Sequence, residues 1–166
     1  MNYEVPPGVA AGTASVTVSL NGNPVALGTA QIAAVAPGLY TADASGKGAA
    51  AAIVVTIHAD GSSAFVSTSQ CSPSGVCTAL PIDLGLDTDK VVLELYGTGI
   101  RGHSAAVTCK IGPVTLPVDY AGPQGVFVGL DQVNVALPKS LRGSGTVTVS
   151  LTVDGQNANP VSLSFK

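Results

Sequence analysis

Two cysteines lie close enough in the sequence to form a disulfide. Cys71 and Cys77 flank a short segment that contains Pro73 and Gly75, residues that favour a turn. Such a turn brings the two ends within the distance that a disulfide requires. A metal pair is the alternative, but no further cysteine or histidine lies nearby at the spacing of a zinc site. We predict a Cys71–Cys77 disulfide, which indicates an oxidising compartment.

The third cysteine and the two histidines are separated from one another in the sequence. Cys109 lies in an alternating segment, and we interpret it as a small buried apolar side chain. His58 ends a predicted strand and His103 lies in a predicted loop. The chain has no Gly-x-Ser-x-Gly elbow in a strand-to-helix context, the pattern that presents a nucleophilic serine. We expect no catalytic residue, no cofactor and no enzymatic activity.

Three carboxylates cluster in residues 83–90. Calcium prefers several oxygen ligands from one loop, and Asp83, Asp87 and Asp89 offer such ligands. Their spacing does not match that of an EF-hand loop. We interpret the cluster as a solvated linker, and a calcium site formed by the three carboxylates is the alternative.

Charge and composition exclude two classes of partner. The chain of 166 residues has 7 Lys and Arg against 10 Asp and Glu, a net charge of −3. So few cations cannot form the basic surface that a phosphate backbone needs, and we expect no nucleic-acid partner. The longest apolar run, residues 49–55, is much shorter than the roughly 18 residues of a membrane span. The opening residues also lack the cationic start and apolar region of a secretory signal.

Alternation of aliphatic and hydroxyl side chains is the dominant pattern. Residues 15–20 and 146–153 place valine or leucine at every second position, with serine or threonine between them. Successive side chains of a strand point to opposite faces, so this pattern predicts strands with one buried and one solvated face. The predicted buried face of the later strand consists of Val147, Val149, Leu151 and Val153.

Glycine and proline divide the remaining chain into short segments. There are 20 Gly and 11 Pro, and the dipeptides Asn21-Gly22 and Asp154-Gly155 are typical of tight hairpin turns. Many short strands between turns predict an all-β, antiparallel sandwich architecture, and no segment has helical periodicity. The other predicted strands are 25–35, 51–57, 63–68, 91–96, 106–111, 114–120, 126–137 and 161–165.

An internal repeat relates the two ends of the chain. Three blocks near the start resemble three blocks near the end in the same order, and the two turn dipeptides also correspond. The sequence therefore indicates a partial repeat unit at residues 1–36, and we interpret Met1 as a boundary within a longer sequence. The matching blocks are 2–6 with 134–138, 15–20 with 146–151, and 23–27 with 159–163.

A partial unit leaves strand edges unpaired and one apolar face uncovered. We predict that residues 37–86 supply the missing strands. This prediction gives two tandem immunoglobulin-like sandwiches, a first at residues 1–86 and a second at residues 87–166. A strand-swapped dimer, with self-association through exposed strand edges, is the alternative.

Four segments carry a resemblance to a known family: residues 35–41, 91–100, 125–135 and 151–161. They resemble a paralogous family of C-terminal domains on large secreted or surface proteins of acidobacterial type. The second unit also resembles immunoglobulin-like domains of the plexin and transcription-factor (IPT/TIG) kind, in which a glycine-rich strand end such as Gly97-Thr98-Gly99 precedes the rest of the sandwich. The resemblance implies secretion, modular repetition and no known catalysis, and it carries over no site residues.

The function that the sequence predicts is structural. We expect a non-catalytic spacer or assembly module of a larger secreted or surface protein, with other domains of the same parent chain as partners. The alternative is a module that binds a glycan or a protein through loops, with residues 67–78 as the candidate loop. The chain has no Trp, and we expect most of its four Tyr and three Phe at strand ends or in the core.

Overall fold

The computed structural model describes residues 3–6 and 8–166, and the regular structure of this part of the chain is almost all β. It contains no α-helix, and one 3-10 turn occupies Lys139–Leu141. The predicted all-β class is therefore confirmed, whereas the predicted boundary at Met1 and the Asn2 of the repeat lie outside the described residues. The strands are Gly12–Leu20 (β1), Asn23–Ile32 (β2), Gly38–Leu39 (β3), Ala52–Ile57 (β4), Ser63–Ser67 (β5), Ser69–Cys71 (β6), Cys77–Ala79 (β7), Pro81–Ile82 (β8), Lys90–Thr98 (β9), Val107–Ile111 (β10), Val114–Pro117 (β11), Tyr120–Pro123 (β12), Asp131–Ala136 (β13), Gly145–Val153 (β14), Gln156–Asn157 (β15) and Val161–Phe165 (β16).

The chain divides into two compact units, Met1–Ala34 and Val35–Lys166. This division differs from the predicted boundary after residue 86. The reason is strand pairing, because β4 pairs with β9 along its whole length, from Ala52 opposite Leu95 to Ile57 opposite Lys90. Residues 37–86 therefore supply strands to the second unit, and in the first unit β1 and β2 form a two-stranded antiparallel sheet.

The second unit contains two six-stranded sheets, besides the two-stranded sheet of β6 and β7. One has the strand order β12-β13-β9-β4-β5 with β3 beside β9, and the other has the order β11-β10-β14-β16-β8 with β15 beside β14. The pairs are antiparallel, except that β16 and β8 run parallel. Buried side chains of both sheets belong to one hydrophobic cluster, so the sheets pack face to face as a sandwich.

The core side chains of β14 lie at every second position of the strand. In β14, Val149, Leu151 and Val153 are fully buried, and Val147 is partly buried against the same cluster. The predicted buried face of this strand is thus confirmed. Its hydroxyl side chains lie on the opposite face, as the two-residue period of a strand requires.

One predicted strand is shorter than its sequence pattern indicates. The segment 126–137 begins as a strand only at Asp131, because the residues before it form a closed loop. In this loop the backbone N–H of Gln124 donates to the carbonyl of Leu130, and its side-chain Oε1 accepts the N–H groups of Val126 and Phe127. These backbone groups are satisfied within the loop and do not pair with a neighbouring strand.

Candidate functional site

Cys71 and Cys77 form a disulfide, as the sequence predicts. They are paired opposite each other in the hairpin of β6 and β7. Residues 72–76 of the turn are exposed, and the hydroxyls of Ser72 and Ser74 are hydrogen-bonded at 2.8 Å. The bond therefore closes a short surface hairpin, and neither cysteine is a free thiol.

Cys109 is fully buried in β10. It lies opposite Leu116 of β11 and Leu151 of β14, in agreement with its interpretation as an apolar core residue. Burial raises the pKa of the Cys109 thiol to about 12. The thiol is therefore protonated and inaccessible, which is the opposite of what a nucleophile requires.

The structure does not bring Asp83, Asp87 and Asp89 together as ligands. Each carboxylate contacts a different basic side chain, so they do not point at one common position. Across residues 3–6 and 8–166, no group of three or more His, Cys, Asp or Glu side chains is arranged to hold a metal ion. The geometry therefore gives the calcium alternative no support. The contacts are Asp83 Oδ2 to Lys166 Nζ at 3.1 Å, Asp87 Oδ1 to Arg142 Nη1 at 2.9 Å, and Asp89 Oδ1 to His58 Nδ1 at 3.2 Å.

The two histidines occupy separate structural positions. His58 contacts the buried carboxylate of Asp89, whose Oδ2 also accepts the backbone N–H of Leu86 at 2.9 Å. The Leu86 hydrogen bond holds the pKa of Asp89 below its ordinary value of 3.8. His103 lies between two backbone carbonyls, with Nδ1 3.0 Å from the oxygen of Ala105. Neither histidine is paired with a serine or cysteine nucleophile in the hydrogen bonds of the described chain.

Asp131 is the most completely enclosed carboxylate of the described residues, with 1% of its surface exposed. Its Oδ2 accepts the backbone N–H of Ile100 at 2.7 Å and that of Arg101 at 3.2 Å, and its Oδ1 accepts Nε of Arg101. The Arg101 guanidinium also donates to the carbonyl of Leu130 at 2.9 Å. These bonds fix the turn after β9, so Asp131 is a structural anchor. The sequence analysis missed it, although an acid at a core position of an alternating strand is a usable signal.

The side-chain amide of Asn159 connects the two sheets by hydrogen bonding to both backbone groups of Leu39. Its Oδ1 accepts the backbone N–H of Leu39 at 2.8 Å, and its Nδ2 donates to the carbonyls of Leu39 at 3.0 Å and Gly46 at 2.9 Å. Leu39 belongs to β3 of one sheet, whereas Asn159 lies two residues before β16 of the other. The Asn159 side chain therefore connects the segment before β16 to the backbone of Leu39 and Gly46.

The β1–β2 hairpin has no ionisable side chain. Residues 5–34 contain no Asp, Glu, Lys, Arg or His. Asn21 and Gly22 have positive φ values of 52° and 81°, nearly the same as 47° and 78° at Asp154 and Gly155. Both β1 and β14 thus have nine residues and end at a turn of the same backbone geometry.

The pairing of β1 with β2 contains a register shift of one residue. Ser19 lies opposite Pro24, but Val18 lies opposite Ala26, so Val25 is left without a partner. This bulge places Leu27 opposite Thr17, on the hydroxyl face, where it is 79% exposed. The aliphatic residues of the hairpin are therefore divided between its two faces.

A second exposed apolar feature is the loop between β12 and β13. Val126, Phe127 and Val128 are 75%, 67% and 84% exposed, although the loop backbone is hydrogen-bonded internally. Phe127 therefore lies neither at a strand end nor in the core, the two places where most of the aromatic residues were expected. The exposed aromatic residues of the described chain are Tyr3, Tyr40, Phe65, Tyr120 and Phe127.

Comparisons with known proteins identify no relative. No protein-family model, curated protein or solved structure matches the chain. In the part that the structure describes, no helix combines the length and the hydropathy needed to cross a membrane.

Proposed function

We propose that the chain is a non-catalytic structural and assembly module of a larger secreted or surface protein. Its partners in this proposal are other domains of the same parent chain. The observation that carries the proposal is the uncharged two-stranded hairpin β1–β2, which forms a unit separate from the sandwich and exposes Leu20, Val25 and Leu27.

A hairpin of two strands is at best marginally stable alone in water. Strand edges in soluble proteins are usually protected by charges or covered, because an open edge pairs readily with other strands. Residues 5–34 have no charge that could protect an edge. These properties are expected of an element that is completed by another domain.

The sequence supports the modular part of the proposal. The internal repeat and the resemblance to C-terminal domains of secreted proteins both imply several similar immunoglobulin-like sandwiches in one parent chain. The Cys71–Cys77 disulfide is compatible with an extracellular location, because such bonds persist in oxidising compartments.

The proposal is tested by asking whether the hairpin stabilises its own chain. A variant with Val16→Asp and Val18→Asp places two charges on the half-buried face of β1. We expect its melting temperature to lie within about 2 °C of the parent, since 1 kcal/mol corresponds to about 4 °C at this size. Thr17→Asp on the exposed face is the control. A large drop confined to the double variant would show that these valines serve the fold of their own chain, and the assembly function would fail.

The second candidate function is binding through a loop. The exposed segment 126–128 favours it. The predicted loop 67–78 forms the disulfide-closed hairpin, whose turn residues 72–76 are also exposed. Phe127→Ser should leave the melting temperature unchanged and abolish any signal of the parent on a glycan array. An array on which the parent binds nothing would count against glycan recognition.

A further inference from the structure

We infer that β5 is a self-association edge, where two copies of the chain pair antiparallel about a two-fold axis through Phe65. The partner is a second copy of this chain. Self-association through exposed strand edges is an alternative that the sequence leaves open, and this inference names the edge. It concerns the second unit alone and goes beyond the proposed function, whose partners are other domains of the parent chain.

β5 is an edge strand of its sheet. It pairs with β4 on one side, and no strand of the described chain pairs with it on the other side. The other edge strands of the two six-stranded sheets, β8, β11 and β12, each contain a proline, which has no N–H to offer a new strand. β5 contains neither a proline nor a charged residue, so it lacks both of these protections.

The hydrogen bonds between β4 and β5 show which backbone groups lie along the open edge. The N–H of Thr68 donates to the carbonyl of Ala52 at 3.2 Å, and the N–H of His58 donates to the carbonyl of Ser62 at 2.9 Å. Hydrogen-bonded pairs occur at every second residue of an antiparallel ladder, so the residues between these pairs alternate in direction. The N–H and C=O groups that point away from β4 belong to Ser63, Phe65 and Ser67.

A two-fold axis perpendicular to the sheet at Phe65 satisfies all of these groups at once. Phe65 then lies opposite Phe65 of the second copy, and Ser63 lies opposite Ser67 of that copy. Each of these is a hydrogen-bonded pair, in which the two residues exchange both N–H···O bonds across a Cα separation of about 5.5 Å. No outward N–H or C=O group of β5 is left unpaired in this arrangement.

The side chains of β5 are also suited to self-pairing. The strand has the sequence Ser-Ala-Phe-Val-Ser, which has the same pattern of residue types in both directions. Self-pairing therefore places hydroxyl opposite hydroxyl, aromatic opposite aromatic and Ala64 opposite Val66, and cross-strand pairs of these kinds stabilise sheets. Residues 61–82 contain no charged side chain, so the pairing brings no like charges together.

Phe65 ends an apolar row on the outer face of the sheet. It is 69% exposed and lies opposite Val55 of β4, which lies opposite Val92 of β9. Val54, the neighbour of Val55, belongs to the core, so Val55 and this row point to the opposite face. Pairing of two copies joins their two rows at Phe65 and removes exposed apolar surface from water.

The length of β5 determines how strong the association is. The strand has 5 residues, and pairing over this length buries less surface than the standard interface of about 1,600 Å². We therefore expect a reversible equilibrium between monomer and dimer, which shifts toward the dimer as the concentration of the chain rises.

Two double variants of the full chain test the pairing. Ser63→Lys with Ser67→Lys places like charges opposite each other across the axis, whereas Ser63→Lys with Ser67→Glu places opposite charges there. Both variants lose the hydrogen bonds between the Ser67 hydroxyl and the backbone of Ser69. Sedimentation equilibrium over a concentration series measures the dimer dissociation constant. We expect it to rise about tenfold in the Lys/Lys variant and to stay within about threefold of the parent in the Lys/Glu variant.

Net charge alone predicts the opposite order. The chain has a net charge of −3, which the Lys/Lys variant reduces in magnitude and the Lys/Glu variant leaves unchanged. Lower self-repulsion favours association, so the Lys/Lys variant would then form the tighter dimer. A weaker dimer of this variant therefore reports which residues face each other.

A single substitution gives a second test that keeps the Ser67–Ser69 hydrogen bonds. Phe65→Lys places two like charges opposite each other on the axis, and we expect this variant to stay monomeric over the same concentration series. Circular dichroism of each variant at low concentration should match that of the parent, because residues 63, 65 and 67 are exposed. A Phe65→Lys chain that dimerises as tightly as the parent would overturn the inference.

Three further outcomes would also overturn it. A parent chain that stays monomeric throughout the series has no such edge. A dimer that both double variants leave unchanged uses another surface, and a dimer that both weaken equally uses β5 in a different register. The proposed function does not depend on any of these outcomes, because it is tested separately by the melting temperature of the variant with Val16→Asp and Val18→Asp.

Discussion

The carboxylate of Asp131 and the backbone N–H of Ile100 are 2.7 Å apart in the interior of the sandwich. Asp131 begins β13, Ile100 follows β9, and the bond ties the end of one strand to the turn after its neighbour. The same carboxylate contacts Arg101, so the buried charge is both paired and hydrogen-bonded. A buried charge in this position stabilises the fold only while its partners remain.

Removing the Asp131 carboxylate should strongly destabilise the second unit. We expect Asp131→Ala to lower the free energy of unfolding by about 3 kcal/mol, because it leaves buried backbone N–H groups and Arg101 without their acceptor. Urea denaturation measures the change. Asp87→Ala, which removes an exposed carboxylate, should have no measurable effect. Equal effects of the two substitutions would contradict the anchoring role of Asp131.

Alanine substitutions at Gly99 and Gly143 distinguish a steric clash from backbone strain. Both have positive φ, +71° and +70°, but a Cβ at Gly99 would collide with the carbonyl of Ala36, while a Cβ at Gly143 meets no atom within 4 Å. We expect Gly143→Ala to cost about 1 kcal/mol from backbone strain. Gly99→Ala should cost about 1 to 3 kcal/mol more, since the Ala36 backbone must move. Thermal melts of the two variants give the comparison, and a larger loss at Gly143 would refute it.

Stability should fall in acid. The backbone N–H groups of Ser104 and Ala105, each 2.8 Å from an Asp154 oxygen, hold the pKa of that carboxyl below 3.8, and the N–H of Gly85 has the same effect on Asp83. A carboxyl with a lower pKa in the folded state contributes stability above the unfolded pKa, and loses it as pH falls through the folded value. The urea midpoint should therefore be nearly constant above about pH 5 and decrease below about pH 4.

Asp154→Asn tests the origin of this acid dependence. The amide keeps one acceptor oxygen and tolerates the positive φ of 47°, but it does not titrate. The variant should be less stable than the parent at pH 7, and the difference should narrow as pH falls below 3.8. A difference that stays constant from pH 7 to pH 2 would show that charge at Asp154 is irrelevant.

The thiol count should rise in two steps. The folded chain should react with no thiol reagent, because Cys71 and Cys77 are bonded and Cys109 is buried. Mild reduction should expose the two disulfide cysteines, and Cys109 should react only after the chain unfolds. In the entropy account, loss of so short a closed loop costs about 2 kcal/mol. Reaction of Cys109 in the folded chain would contradict its burial.

Local pattern was sufficient to predict the β class, the buried face of β14 and the disulfide. Each depends on residues close together in the sequence. The period of two is a property of the strand itself, and the spacing from Cys71 to Cys77 limits how far apart the sulfurs lie. The hairpin turns at Asn21 and Asp154 were predictable for the same reason, because their residue types tolerate positive φ.

Strand partners and register, by contrast, were decided by the tertiary structure. The apolar, β-branched run of β4 indicates a strand, but it does not indicate that the neighbour of this strand is β9 and not β2. This choice set the division of the chain after Ala34. Asp131 similarly lies 30 residues from the Arg101 that it contacts. Pairing between distant segments depends on which arrangement buries the most apolar surface and satisfies every buried polar group, and neither quantity exists until the chain has folded.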